Sequence, residues 1–399
     1  MKEYFYKRQY IYLYLAKFCY TLANSLIDIF GTVMLYKNGM SIALILFIYG
    51  IRFGIMGALS PLFLKISTKR GVATCALIAN LLRIICSYML LFEKTDNIIL
   101  FIIFMGIPGA LSNPIANAIS NYYVESSHKG KYNSAINICK ILGAALSSVI
   151  VAWGVTSKNQ LVTFLIVVIF FLLDYLFTAF IDYKPIEKEN AVFRKTIKYI
   201  LKNKDDLKII YALRTFQIVE RFFVPLYLYL ALKDLVLFTT VVVISLSIQV
   251  LMVIATGNLS DKNRQKTNTL VSVLRMIVSA VFLVIKNKWI ISVNKTVHDN
   301  LQMVYETTFI TSIQEIIKGS KKNDALLSTI CEMCLCFTEV IVFSIFAILA
   351  IFIKENIFIV IFISTIISVY LMNKKINKQL EVKRNKDETI YNRKYVQKC

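Results

Sequence analysis

Histidine is almost absent from this chain, with only His128 and His298, and tryptophan also occurs just twice. Two histidines so far apart supply no HExxH zinc pair, and no glycine-rich phosphate loop is present. Those absences argue against an enzyme. No polar stretch is long enough to form a nucleotide-binding domain, which argues equally against an ATP-driven pump. The cysteines (Cys19, Cys75, Cys86, Cys139, Cys331, Cys334, Cys336 and Cys399) are scattered and mostly lie inside apolar runs, so a disulfide framework is not expected. The cluster at Cys331 to Cys336 lacks a matching second pair and reads as small packing residues rather than as a metal site. Acidic residues are scarce as well: 24 Asp and Glu face 46 Lys and Arg, a net charge of +22. In a soluble protein that balance would suggest nucleic acid. Here the location of the charge matters more than its total.

What the chain has in abundance is apolar surface. Hydrophobic residues make up 57% and charged residues 18%, with a mean hydropathy of +0.63, more than one soluble core can bury. The apolar residues come in blocks of roughly 18 to 25, the length an α-helix needs to cross a bilayer. A transmembrane barrel would show shorter alternating segments. Spans are expected near 10–36, 41–63, 72–92, 98–123, 134–154, 160–182, 207–232, 235–257, 269–287, 290–316, 327–353 and 356–373. The first follows the N-terminus without a small-residue cleavage site and is expected to be retained. About 30 of the Lys and Arg fall in the N-terminus, the tail and the loops near 65–71, 124–133, 183–206, 258–268 and 317–326. The alternate loops are short and hold few. Both termini are therefore expected in the cytoplasm of a cell (plasma) membrane protein.

The division expected is a bundle of six helices over 1–183, a basic linker over 184–206, a second bundle of six over 207–373 and a basic tail over 374–399. Within the linker, Val192, Phe193, Ile197, Ile200 and Leu201 recur at helical spacing, as in a helix lying on the membrane surface. The tail reads as too polar to pack. The halves also repeat each other. Leu64 to Gly71 (LKISTKRG) aligns with Gly257 onward (GNLSDKNRQK) at an offset of 193, and Glu125 onward (ESSHKGKYNSA) aligns with Glu315 onward (EIIKGSKKNDA) at 190. Two matches at nearly one offset support a duplication.

These residues resemble the major facilitator superfamily, whose signature between spans two and three, echoed between eight and nine, runs roughly G-x-L-[AS]-D-[RK]-x-G-[RK]. Gly257, Leu259, Ser260, Asp261 and Lys262 match the second copy, with Arg264 in place of its second glycine. The first copy keeps Ile66, Ser67, Lys69 and Gly71 but has Leu64 and Thr68 where the family has glycine and aspartate. The segments LYKNGMSIALILFIYG and FRKTIKYILKN are similar to the family too. The resemblance implies an all-α membrane protein of about twelve helices in two pseudo-symmetric bundles, a gate motif at Gly257, Asp261 and Lys262, and a cavity lined by spans one, four, seven and ten.

Polar stripes mark those four spans. At 100° per residue Lys17, Asn24 and Asp28 share one face of span one, and Asn113, Asn117 and Asn121 one face of span four, which also carries Pro108 and Pro114. Arg214, Gln217 and Arg221 align on span seven. Span ten aligns His298, Gln302 and Tyr305, with Glu306 at the edge. Ionisable groups inside spans are costly and mark function by default. Lys17, Arg52 and Glu220 also suit a snorkelling role, and Arg83, Lys140, Arg275, Glu332 and Glu339 suit pairing between supporting helices. The expected activity is secondary active transport of a small polar or zwitterionic solute, with proton-coupled efflux as one form of it. Rivals are a multidrug or peptide exporter, a lipid flippase, and a transport-inactive sensor or scaffold. Partners expected are a small-molecule substrate, the lipid bilayer and protons as a candidate coupling ion. No cofactor and no nucleic acid is expected, and the chain is expected to act as a monomer.

Overall fold

Nearly every backbone polar group in a lipid-embedded chain must be paired within its own helix, and this chain meets that demand by being helical almost throughout. The computed structural model describes residues 2–92, 97–123, 129–183, 205–262, 264–317 and 324–396, among which no strand occurs. The linker helix expected near 192–201 lies outside them. The helices are α1 (Lys2–Asp28), α2 (Gly31–Lys37), α3 (Ile42–Arg70), α4 (Val72–Leu91), α5 (Ile98–Tyr123), α6 (Lys129–Thr156) and α7 (Gln160–Ala179). After the linker come α8 (Asp205–Leu232), α9 (Leu235–Lys262), α10 (Arg264–Val284), α11 (Lys288–Ile317), α12 (Asp324–Ile353) and α13 (Ile357–Val396).

Among the described residues nine segments are long and apolar enough to cross a membrane. By that measure α1 and α2 form one span, Arg8–Lys37, and the stretch Glu332–Gln379 joins α12 to α13. Helix α5 contributes only the shorter apolar piece Ile98–Asn113, and α11 is not among the nine, with Lys295, His298, Asp299 and Glu306 on it. Two expectations need correcting. The first span breaks at Ile29 and Phe30, and the tail does not begin outside the fold: Ile376 is fully buried and Asn377 donates to Thr269 Oγ1 at 2.9 Å.

Short polar residues start the helices. Ser41 Oγ accepts from Leu44 N at 3.2 Å, Asn97 Oδ1 from Leu100 N at 3.2 Å, Asp234 Oδ1 from Val236 N at 2.8 Å, and Asn287 Oδ1 from Trp289 N at 2.9 Å. The turns repeat between the halves. Gly39 (φ +86°) and Lys233 (φ 54°) are both left-handed, and so are Lys158 (φ 57°) and Lys354 (φ 49°), at offsets of 194 and 196. The duplication read from loop sequences thus recurs in the backbone.

Packing shows which faces meet lipid. Helices α6, α7, α9, α10, α12 and α13 carry exposed Leu, Ile, Val and Phe along their length. Among the described residues α1, α5, α8 and α11 expose large apolar side chains only in their first halves, for example Ile209 alone on α8. Those four are the inner helices. Across the halves α3 lies along α12 and α6 along α9. A glycine lets α3 approach α12, since a Cβ on Gly57 would stand 2.8 Å from Cys336 Cβ; within the first half Gly143 lets α6 approach α1, where a Cβ would stand 2.7 Å from Phe18 O.

The buried apolar residues sort by depth. At the end away from the N-terminus one continuous core takes Phe30, Tyr49 and Phe53 from the first half and Phe223, Phe238 and Phe343 from the second. At the end where α1 begins the described residues form two separate cores, one around Leu13, Leu111 and Tyr132 and one around Ile210, Val304 and Phe309. Among the described residues the halves thus share one core at the far end and hold separate cores at the near end. Because a left-handed lysine costs more than glycine there, Lys158→Gly, Lys233→Gly and Lys354→Gly should each stabilise the protein by about 1 kcal/mol. Thermal melts in detergent check this, and a fall in melting temperature would contradict it.

Candidate functional site

The deepest charges belong to the second half. Glu220 on α8 is 0% exposed and accepts from Arg275 Nη2 at 2.9 Å and from Ser279 Oγ at 2.8 Å. His298 Nε2 on α11 stands 3.2 Å from the same carboxylate, and its Nδ1 stands 3.5 Å from Asp299 Oδ1. Asp299 in turn pairs with Lys295 and accepts from Ser245 Oγ. Arg275 also donates to Gln217 Oε1 at 2.6 Å and lies 4.9 Å from the Tyr305 ring centre. This network ties α8, α9, α10 and α11 into one block, since a charge stripped of its partner there would face a low-dielectric interior.

About two helical turns nearer the mouth, Arg214 Nη2 bonds Glu306 Oε2 at 2.8 Å, and Gln302 Nε2 donates to Glu306 Oε1 at 3.2 Å. The Arg214 guanidinium also lies 4.5 Å from the centre of the Phe309 ring. Arg214, Gln217 and Arg221 leave one face of α8, as their spacing requires.

In the first half Asn24 Nδ2 donates to Asp28 Oδ2 at 2.6 Å, and Arg52 Nη2 reaches Asp28 Oδ1 at 3.7 Å. Arg52 sits within 5.6 Å of the centres of the Tyr49, Phe53 and Phe222 rings, directly beneath the sealed end. Deeper in the same half Arg83 donates to Asn80 Oδ1, Pro108 O and Ser112 Oγ, and Asn80 donates to Asp174 Oδ2 at 2.7 Å. Lys17, Tyr20, Arg83, Asn113 and Asp174 line a cavity of about 640 Å³, its mouth included, formed by α1, α4, α5 and α7.

Between the halves Asn113 Nδ2 donates to Glu332 Oε1 at 3.0 Å, and Thr32 Oγ1 donates to Phe222 O at 3.2 Å. Glu339 on α12 is 1% exposed, and its Oε2 has no hydrogen-bond partner among the described residues. These groups form a polar seam on surfaces that only the two halves together can bury.

The family model described as "Major Facilitator Superfamily" matches residues 13–294. The chain belongs to this family. Its structure is similar to that of the human organic anion transporter MFSD10 (TETRAN), at 11% identity and a TM-score of 0.68, covering 92% of this chain and 99% of that one. It is also similar to a bacterial homologue of the iron transporter ferroportin in an outward-facing state, at 12% identity and a TM-score of 0.67, covering 94% and 99%. No curated protein matches. A facilitator-type membrane transporter, rather than an enzyme, is what the family and the fold support.

Within this facilitator fold the residues picked from sequence fall into three groups. Asn24 meets Asp28, Arg214 and Gln302 meet Glu306, and Gln217 and Tyr305 meet Arg275, so these are brought together. Lys17 and Asn113 line the first-half cavity, and Arg221 is exposed on α8 without an ion-pair partner among the described residues. Asn117, Gly257, Asp261 and Lys262 have helical backbone, in α5 and α9, while their side chains lie outside the described residues. The gate motif thus begins on a helix rather than in a loop. A snorkelling role for Glu220 and Arg52 does not hold, since both pair inside the bundle. Sequence reasoning did not select Glu332, Glu339 or Lys140 for the pathway because it assigned their spans to support. Their one signal was a charge in mid-span.

Removing one member of the Glu220–Arg275 pair strands the other in the interior. Arg275→Met or Glu220→Met alone should lower stability by about 3–5 kcal/mol, and the double variant should recover part of that loss. A double variant less stable than either single, in thermal melts of the purified protein, would show that the pair does not act as a unit.

Proposed function

We propose that the protein is a secondary active carrier that moves a small polar or zwitterionic solute across the plasma membrane by alternating access. The observation that carries this reading is the asymmetry of the core, which among the described residues is continuous between the halves at one end and divided at the other. Such a shape is one of the two states a rocking carrier needs, and the polar seam at the hinge is where a solute would be held. The halves 1–183 and 207–373 serve as the moving bodies, with 184–206 as their link. Gly257, Asp261 and Lys262 serve the near mouth, where they would latch the closed state. With most basic residues at that end, the open mouth faces the cytoplasm, and proton-coupled efflux is one form such transport would take. Asp28 and Glu306 are the candidate proton carriers. Asp28 is the more open of the two, its side chain 35% exposed against 12%. The printed names of the similar structures refer to organic anions and to iron, but at 11% and 12% identity they lend this chain only a fold.

Counterflow of labelled solutes into vesicles holding the purified protein tests transport directly. A Cβ on Gly50 would stand 3.2 Å from Phe343 Cβ, close to disulfide range. In a background where the native cysteines are serine, Gly50→Cys with Phe343→Cys should therefore lock the far end when oxidised and stop transport, and a reductant should restore it. Undiminished transport by the oxidised form would sink alternating access through that end. Asp28→Asn should abolish acceleration by an imposed pH gradient, and a variant that still responds would remove Asp28 as the proton carrier.

A further inference from the structure

The four inner helices leave an imbalance of charge beside the open mouth. Lys140 lies near the middle of α6. At 100° per residue the lipid-facing Leu142, Leu146, Val149 and Trp153 stand about 180–240° around the helix from it, so its side chain leaves the face turned to the other helices. Arg221 lies near the middle of α8 and is exposed, although among the described residues the only large apolar side chain exposed on that helix is Ile209 near its start. An arginine exposed on a helix with no lipid face opens onto water between the halves. The strongest charges acting on Lys140 are those of Lys17, Arg221, Glu306 and Arg214, three cations against one carboxylate. That carboxylate is already taken, since Glu306 is held by Arg214 and Gln302.

The other acids do not pair with these two cations. Asp28 is paired with Arg52, while Glu332 accepts from Asn113 and Asp174 from Asn80. Glu339 is buried on α12, on the sealed side with Cys336 and Phe343. Among the described residues neither Lys140 nor Arg221 has a hydrogen-bond or ion-pair partner. Two cations without partners that act on each other across the halves raise the energy of the empty state, and an anion between them would lower it.

We infer that the solute carried at this seam is an oxyanion, a small molecule bearing a carboxylate, phosphate or sulfonate, and that Lys140 and Arg221 grip it from opposite halves. This rests on the transport reading above and narrows it, since the anionic group is the part of a polar or zwitterionic solute that the seam selects. Joining α6 of one half to α8 of the other, the anion would draw the near ends together, which is the movement that closes the open mouth.

The probes are benzoate, succinate and inorganic phosphate, with choline and glucose as counterparts, each added at millimolar concentration to the purified protein in an uncharged detergent. At least one of the three anions should raise the melting temperature. Lys140→Gln and Arg221→Gln should each weaken its half-saturation about tenfold or more, while Arg221→Lys should lose less. Without ligand, Lys140→Gln should melt no lower than the parent protein, because it relieves crowding of like charge. Stabilisation by choline or glucose alone, by none of the probes, or undiminished in the two glutamine variants would overturn the inference. A separate arm compares nanodiscs of phosphatidylglycerol and phosphatidylcholine. Stabilisation by the anionic lipid but by no soluble anion would assign the oxyanion to a headgroup and overturn a soluble one. Counterflow separates the two readings: transport of choline or glucose alone would leave the carrier standing without this site, and anion binding without counterflow would leave the site without a carrier.

Discussion

Ion pairing in a medium that cannot solvate ions is the constraint on which this structure depends. Glu220 and Arg275 are both fully buried, and neither would be tolerated without the other. Their pairing fixes α8 against α10, while His298 and Asp299 extend the same network to α11 and, through Ser245, to α9. The second half is thereby made stiff by charge in its middle and by aromatic packing at its far end. A stiff half can turn as one piece, and alternating access requires that.

The first half is held differently. Arg83 spends its donors on a side-chain amide, a carbonyl and a hydroxyl, and the only carboxylate of that group, Asp174, is reached through Asn80. Its inner surface encloses the cavity lined by Lys17, Tyr20 and Asp174. The two halves share an ancestry and a topology, yet they solve the burial of charge by different means.

Much of this was legible in the chain itself, because hydrophobic length, turn residues and loop repeats are local properties. The helix starts at Ser41, Asn97, Asp234 and Asn287 follow from short polar side chains that satisfy free amides. The stripes on spans one, four, seven and ten were legible for the same reason, being a matter of angular spacing within one helix. What local reading does not reach is partnership across helices. Nothing near Glu220 in sequence announces Arg275, 55 residues away, and nothing near Asn113 announces Glu332, 219 residues away. Lys140 was set aside because its helix was assigned to support, whereas its position opposite the lipid-facing side decides its role. The break at Ile29 and Phe30 was also hidden, since an apolar run shows length but not continuity.

The paired left-handed turns have a consequence for how such proteins are compared. Gly39 and Lys233 hold the same place in the two halves, both with a left-handed φ, although one residue has no side chain and the other has a long one. Lys158 and Lys354 keep both the letter and the twist. After a duplication the torsion angle is inherited even where the residue is not, because shifting it would re-aim an entire helix while changing the side chain disturbs only the surface. Ancestry in this chain is written more durably in its corners than in its alphabet.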